Sequence, residues 1–582
     1  MRGWRRFAFH YLEMTVAMLV GMAVLGGALR LALAAAGVPY SMDRYPVLVT
    51  LEMGVTMAVA MAVWMRVRRH GWPPTVEMSL AMLVPAVAVA PLVAWNVLDG
   101  MSSMVVEHTT MFVLMLVVML RRRDEYLAHH HGSGRLAKAV RRVLPAFGRG
   151  LFVLLSIAIL PSAAFAIGSV SYEHSRYAPA ASSAVVNVAA PVYDPSKPTV
   201  AIVVGNDGAN VADTLVPYAV LSATGKVNVY TVAAERRPVT LLGGLDLVPD
   251  LSFDQLRQRV GAPSVTIVPD MPPSDTADAK VAAWLRSVSG HGLVLGVCTG
   301  ARLLAKAGLL DGRPATSHWY RLSELQHKFP AVNWQRGVRY LDDGDLITTG
   351  GLLSSVDGTL RVIERLLGTD AASKAATTVA WRYYSPGKPA ALPVERLTAS
   401  DAITHILNSG FRANDTTVGV VLSDGVDELD LAAAFDPYGE IKAARTLAIS
   451  ADGGTVRSRH GLTFVPRAGM DAAGRVDHLL IPRSDKDSDL SAARRAHVPV
   501  AYLAHQSGFA FDAALRELAL TTDTTTAHWA AKILEYPSAD LDLAGPGWPW
   551  LPTVRPALLG LTGLAIALLA VFLWRRGHKS TV

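Results

Sequence analysis

The only cysteine in 582 residues, Cys298, sits within GLVLGVCTGARLLAKAGLL (292–310), where an apolar run gives way to a helical one. VLGV reads as a short buried strand, and ARLLAKAGLL has apolar residues at helical spacing with Gly308 near its end. Gly296 and Gly300 flank Val-Cys-Thr, so the backbone can turn sharply from strand into helix with Cys298 at the apex. A side chain at that apex is exposed and faces the N–H groups of a helix N-terminus, which favours thiolate over thiol. The chemistry this spacing suits is nucleophilic attack by sulfur from a cysteine version of the nucleophile elbow. A lone cysteine is otherwise a small buried apolar residue. The Gly-x-Cys-Thr-Gly setting is what sets this one apart.

With its surroundings, the elbow resembles the ThiJ/PfpI family of the class I glutamine amidotransferase-like superfamily. DGRPATSHW (311–319) is similar to the family's segment after the elbow helix and puts His318 twenty residues beyond Cys298. ITTGGLLSSVDGTLRVIERLLG (347–368) resembles its closing strand, glycine turn and last helix. VAIVVGNDGANVADTLVPYAVLSATGKVNVYTVA (200–233) resembles its first strand, helix and second strand. The resemblance lies closest to the isonitrile hydratase-like and AraC-regulator-like branch, where Asp, Cys and the following Thr act together. It therefore implies Asp213, four residues before Pro217, with Cys298 and Thr299 as the catalytic set. His318 is either a secondary catalytic candidate or a structural residue packed by Trp319. One departure stands out. The family's Pro-Gly-Gly-like turn after the third strand is replaced in VTIVPDMPPSD (265–275) by Asp270-Met271. The Met271 N–H remains available for an oxyanion, but an acidic side chain beside a developing anion opposes it.

The elements that carry this site belong to a larger chain. Half of the residues are hydrophobic and mean hydropathy is +0.30, an excess over ordinary soluble composition that sits at the two ends. Apolar runs at 10–36, 46–65, 76–98, 103–120, 150–170 and 554–574 each approach bilayer-spanning length. Arg2, Arg5 and Arg6 precede the first run, Arg66, Arg68 and Arg69 follow the second, and Arg121, Arg122 and Arg123 follow the fourth. Arg135, Lys138, Arg141, Arg142 and Arg149 precede the fifth, and Arg575, Arg576 and Lys579 follow the sixth. The short loops at 37–45 and 99–102 carry only Arg44. This distribution puts both termini inside and 171–552 outside the cytoplasm. It also accounts for the net charge of +7 without a nucleic-acid partner.

The expected fold class is a multi-pass α-helical membrane module plus α/β extracytoplasmic domains, the latter flavodoxin-like with a parallel sheet sandwiched by helices. The expected organisation begins with a four-helix transmembrane module (1–128) and a basic cytoplasmic loop (129–149). A transmembrane helix or internal signal-like segment (150–170), ending in Ala164-Phe165-Ala166, follows. Next come a Ser/Ala/Pro-rich tether (171–198), the domain with the Cys elbow (199–370) and a linker (371–415). A second domain (416–536) and a C-terminal transmembrane helix (553–574) complete the chain. A single cysteine excludes an intramolecular disulfide.

Sixteen of the eighteen methionines precede residue 120, spaced by fours: Met14, Met18 and Met22; Met53, Met57, Met61 and Met65; Met78 and Met82; Met111, Met115 and Met119. Each set falls on one helical face. Each is introduced by a glutamate, in Glu13-Met14, Glu52-Met53 and Glu77-Met78, and by Glu107-His108 before Met111. Adaptable methionine packing between helices, with glutamates at the headgroup level, explains the pattern. Thioether, imidazole and carboxylate together also suit a copper ion or a conduction path. No cofactor or metal is assigned.

TVGVVLSDGVDELDLAAAFDPYG (417–439) resembles the family's opening again, with Asp430 at the acidic position. RVDHLLIPRSD (475–485) and PVAYLAHQSGFAFDAALRELA (499–519) follow as third strand and elbow region. Matching Gly508 to Gly300 places Gln506 at the cysteine position and Ser507 at the threonine position, beside His505. Ala527-His528-Trp529 echoes Ser317-His318-Trp319, and the final glycine turn is missing. The expectation is a degenerate second copy without a nucleophile, packed on the first as a pseudo-dimer. Two function classes follow from the resemblance. One is a cysteine-dependent hydrolase, hydratase or lyase acting on a small electrophile outside the cytoplasm. The other is a small-molecule sensor or binding module coupled to the membrane bundle.

Overall fold

The computed structural model describes residues 2–30, 46–68, 71–94, 100–121, 171–179, 191–388, 391–412, 416–450, 453–482, 498–503, 508–537 and 541–577, with isolated positions between 156 and 169 and at 188–189. The basic loop 129–149, most of the 150–170 segment with Ala166, and His505, Gln506 and Ser507 lie outside the described residues. The described chain divides into a helical unit, Met1–Val170 with Leu551–Val582, and an α/β unit, Ser171–Trp550.

Among the described residues, five helices are long and apolar enough to cross a membrane: His10–Arg30, Val49–Val67, Trp72–Ala90, Ser103–Arg121 and Trp550–Leu569. Small residues let them approach closely. A Cβ on Gly21 would meet Ala60 Cβ at 1.9 Å, and one on Gly54 would meet Ala86 Cβ at 2.4 Å. The methionine stripes face inward, and Met18, Met57, Met61, Met82 and Met115 are among those fully buried.

The α/β unit opens with a short helical stretch, 171–176, inside the expected tether. Tyr172 anchors it, its hydroxyl donating to the Gly439 carbonyl at 3.0 Å. Strands β1 (Thr199–Val203), β2 (Asn228–Ala233), β3 (Val239–Leu241), β4 (Leu245–Val248), β5 (Leu251–Ser252), β6 (Val265–Val268) and β7 (Leu293–Gly296) follow. After them come β8 (Pro314–Ala315), β9 (Asn333–Trp334), β10 (Tyr340–Asp343) and β11 (Leu346–Thr349). The main sheet runs β10-β11-β7-β6-β1-β2-β5 and is parallel except for β10 on β11. Its central strands are buried throughout, as expected of apolar runs covered on both faces.

Residues 371–415, expected as a linker, contain the helices Thr369–Thr378 and Ala399–Phe411. Beyond them lie β12 (Thr417–Leu422), β13 (Arg445–Ser450), β14 (Val456–Arg457), β15 (Thr463–Val465), β16 (Ala468–Gly469), β17 (His478–Ile481) and β18 (Val500–Tyr502). The five-stranded sheet β16-β13-β12-β17-β18 repeats, strand for strand, the order β5-β2-β1-β6-β7. The two halves join symmetrically. Hairpin β3-β4 meets hairpin β15-β14 in one four-stranded sheet, with Leu247 opposite Phe464. The proline-containing helices Val211–Ser222 and Glu428–Glu440 pack against each other across the same junction. Arg467 grips Asp246 through two bonds of 2.9 Å, a bidentate pair linking the halves.

Candidate active site

Strand β7 delivers Cys298 to a tight 3₁₀ turn, Cys298–Gly300, before the helix Ala301–Lys306. Cys298 itself carries the left-handed conformation, with φ +54°. A non-glycine residue there stores backbone strain, a condition met most often at functional sites. The flanking glycines serve space. A Cβ on Gly300 would stand 2.0 Å from the Val268 carbonyl oxygen, and one on Gly296 would stand 2.7 Å from Leu304 Cδ1.

Asp213 arrives from the opposite side, at the third position of the Val211–Ser222 helix, whose N-cap Asn210 accepts the Asp213 N–H at 2.9 Å. It is wholly buried. Its Oδ2 accepts the Asp270 N–H at 3.0 Å, and its Oδ1 has no hydrogen-bond partner. Burial pushes the Asp213 carboxyl well above its ordinary range, and the charge of Asp270 adds to the effect. The Asp270 N–H, Oδ2's donor, and the neighbouring Cys298 thiol work against it.

The same surroundings reverse the expectation of a ready thiolate. Cys298 is only 5% exposed, and burial pushes its thiol well up, followed by the carboxylates of Asp213, Asp270 and Glu440. The helix after it is one and a half turns long and contributes too little dipole to compete. Low dielectric outweighs the helix N-terminus, so burial favours the thiol form of Cys298 and shifts the Asp213 carboxyl toward its protonated form.

Thr299 follows the sulfur and lies near Asp270, whose carboxyl burial raises and the Thr299 hydroxyl and Arg302 lower. The substituted turn thus places an acid in the site, with the Asp270 N–H directed at Asp213. The Cys298 N–H donates to Thr349 Oγ1 at 3.3 Å, and Ser317 Oγ donates to the Cys298 carbonyl at 2.7 Å.

His318 is buried close by, but both ring nitrogens are engaged. Nδ1 accepts the Tyr320 N–H at 3.2 Å, so Nε2 is the donor to the Ile533 carbonyl at 2.7 Å. It latches the second half onto the first. Glu535 completes that latch. Its Oε2 accepts Ser354 Oγ at 2.6 Å, its own φ is +53°, and it fills the space a side chain on Gly350 or Gly351 would need. Sequence reasoning missed Glu535 and Glu440. Neither carries a local signal, because both reach the first half only through the pairing of the two.

In the second half, Asp430 takes the third position of its helix after the N-cap Asp427, as Asp213 does after Asn210. Strands equivalent to β11 and β10 do not appear among the described residues there.

A family profile described as "DJ-1/PfpI family" matches residues 198–365, and the chain belongs to that family. Over 160 residues it is 32% identical to the isonitrile hydratase of Pseudomonas putida, a match covering 27% of this chain and 67% of the hydratase. It is 29% identical over 140 residues to the HTH-type transcriptional regulator CdhR of Pseudomonas aeruginosa, covering 24% of this chain and 40% of the regulator. Among solved structures, a ThiJ/PfpI family protein from Pseudomonas syringae aligns at 24% identity and a TM-score of 0.29, over 35% of this chain and 86% of its own. With a transcriptional regulator among the relatives, the comparisons do not support the exclusion of nucleic acid expected from composition and topology.

Proposed function

We propose that residues 199–370 form a cysteine-dependent hydrolase or hydratase-like lyase acting on a small, uncharged electrophile. The observation that carries this reading is Cys298, strained at the elbow beside the unpartnered Oδ1 of buried Asp213. With sulfur and carboxyl both protonated, attack and proton delivery can be concerted. For an isonitrile, Sγ bonds to the terminal carbon, the Asp213 proton moves to that carbon, and the thiol proton takes its place on Asp213. Water then adds to the same carbon, the C–S bond breaks, sulfur regains a proton, and an N-substituted formamide leaves. An amide or carbonyl carbon suits the same attack. The charges of Asp270 and Glu440 near the sulfur disfavour anionic substrates.

A second reading, a ligand sensor, is favoured by the burial of Cys298 and by the Asp270 N–H being committed to Asp213. Purified full-length protein offered isonitriles, amides and small carbonyl compounds separates the two. Turnover lost in Cys298→Ala supports the enzyme; saturable ligand binding with no turnover supports the sensor.

In this proposal 416–536 is a degenerate second copy serving as the built-in dimer partner. The repeated strand order and the paired hairpins support it. The helical unit anchors the protein in a bilayer with 171–552 outside the cytoplasm, a reading supported by the arginine distribution and five apolar helices. Cys298 is buried, so its labelling does not report topology. In a Cys298→Ala background, a cysteine replacing exposed Ser385 should react with an impermeant maleimide on intact cells. Labelling only after permeabilisation contradicts the placement.

A further inference from the structure

The helical unit holds a buried acid that the α/β site does not explain. Glu107, on the helix Gly100–Arg121, is wholly buried, and neither carboxylate oxygen has a hydrogen-bond partner. Its Oε1 points at the opposite helix, 3.6 Å from where a Cβ on Gly54 would stand. Glu52 lies nearby with its Oε1 also buried and unpartnered, while Oε2 meets Arg30 at 3.4 Å. A carboxylate buried without a partner is costly, and a bound cation or proton is what relieves it.

The surrounding side chains favour the cation and narrow its kind. Met111, Met115 and Met119 follow Glu107 in steps of four and share its helical face, while Met53 and Met57 flank Gly54. All five are at most 4% exposed. The outward positions of the same helices carry Val55, Val59, Val63 and Val117 instead. Packing alone does not require that sorting, since leucine fills helix cores with better-defined rotamers than methionine. His108 holds its Nδ1 on the Met104 carbonyl of its own helix at 2.7 Å. Among the described residues, no group of three or more His, Cys, Asp or Glu is placed to hold a metal ion. The donor set is therefore several thioethers and a carboxylate, which selects a soft, monovalent ion.

We propose that Glu107 and the methionines facing it form a Cu(I) site between the helices Pro46–Val67 and Gly100–Arg121. The test uses full-length protein in detergent, in a Cys298→Ala background that removes the only thiol, under anaerobic reducing conditions. Cu(I) is titrated against the chelator bicinchoninate. The expected result is about one Cu(I) per chain, with affinity falling at least tenfold or so in Glu107→Gln. The volume-conserving pair Met57→Leu/Met111→Leu, each one turn from Gly54 or Glu107, should bind no Cu(I) while keeping its helical circular dichroism. Failure of the parent to compete with the chelator overturns the site. So does undiminished binding in the folded leucine pair, or equally tight retention of Zn(II).

Discussion

The two α/β halves share a strand order, a proline-containing first helix and an acid at that helix's third position, yet only one carries the cysteine elbow. The first half extends its sheet with β11 and β10, and the turn after β11, Gly350-Gly351, lies against Glu535. Ile533, Glu535 and Glu440 of the second half hold or electrify the first half's site. Repetition of topology thus does not entail repetition of chemistry. One half carries the elbow cysteine while residues of the other pack against it.

The largest effect should separate glycines of the two halves. Gly300→Ala forces a Cβ to 2.0 Å from the Val268 carbonyl, where backbone must move. A loss of roughly 3 kcal/mol or more, or failure to fold, is expected. Gly474→Ala in the second half meets nothing within 4 Å and should stay within about 0.5 kcal/mol of the parent. Thermal and denaturant unfolding measure both, and equal losses would contradict the account of the elbow.

The latch should come next. Glu535→Ala leaves Ser354 Oγ without its acceptor and should lower stability by about 1–3 kcal/mol. Proteolysis of the native protein should then cut between the halves sooner. Unchanged stability would break the claim that the second half holds the first.

The smallest effect is a pH dependence. Asp250, in the first half, accepts two bonds from Thr231, and burial raises its carboxyl to about 6. A raised folded-state value means the stability it confers is present below about pH 4, the unfolded value, and lost as pH rises through about 6. Asp250→Asn should therefore flatten the fall in melting temperature between pH 4 and pH 7. An unaltered slope would contradict the assignment.

The elbow and the methionine stripes were legible because each is a local pattern of spacing, and Asp213 was legible through the family resemblance. The direction of the Cys298 shift was not. A helix N-terminus argues for thiolate, and only the assembled site shows that burial, above all, outweighs it. The engagement of His318 likewise depends on Ile533, 215 residues away in sequence. The tether read as a loop by composition, yet residues 171–176 are helical, with the Tyr172 hydroxyl on the Gly439 carbonyl, a partner 267 residues away that no local pattern announces.

The central claim, that Cys298 and Asp213 rest as a protonated pair and react through it, is tested by measuring alkylation and turnover in parallel. Iodoacetamide should modify Cys298 at pH 7 more slowly than free cysteine, with the rate rising only at alkaline pH, because burial holds the thiol up. Asp213→Asn takes away the proton donor and should abolish turnover, while the thiol, still buried, should alkylate no faster than in the parent. Fast alkylation of the parent at neutral pH, or turnover that survives Asp213→Asn, would contradict the account.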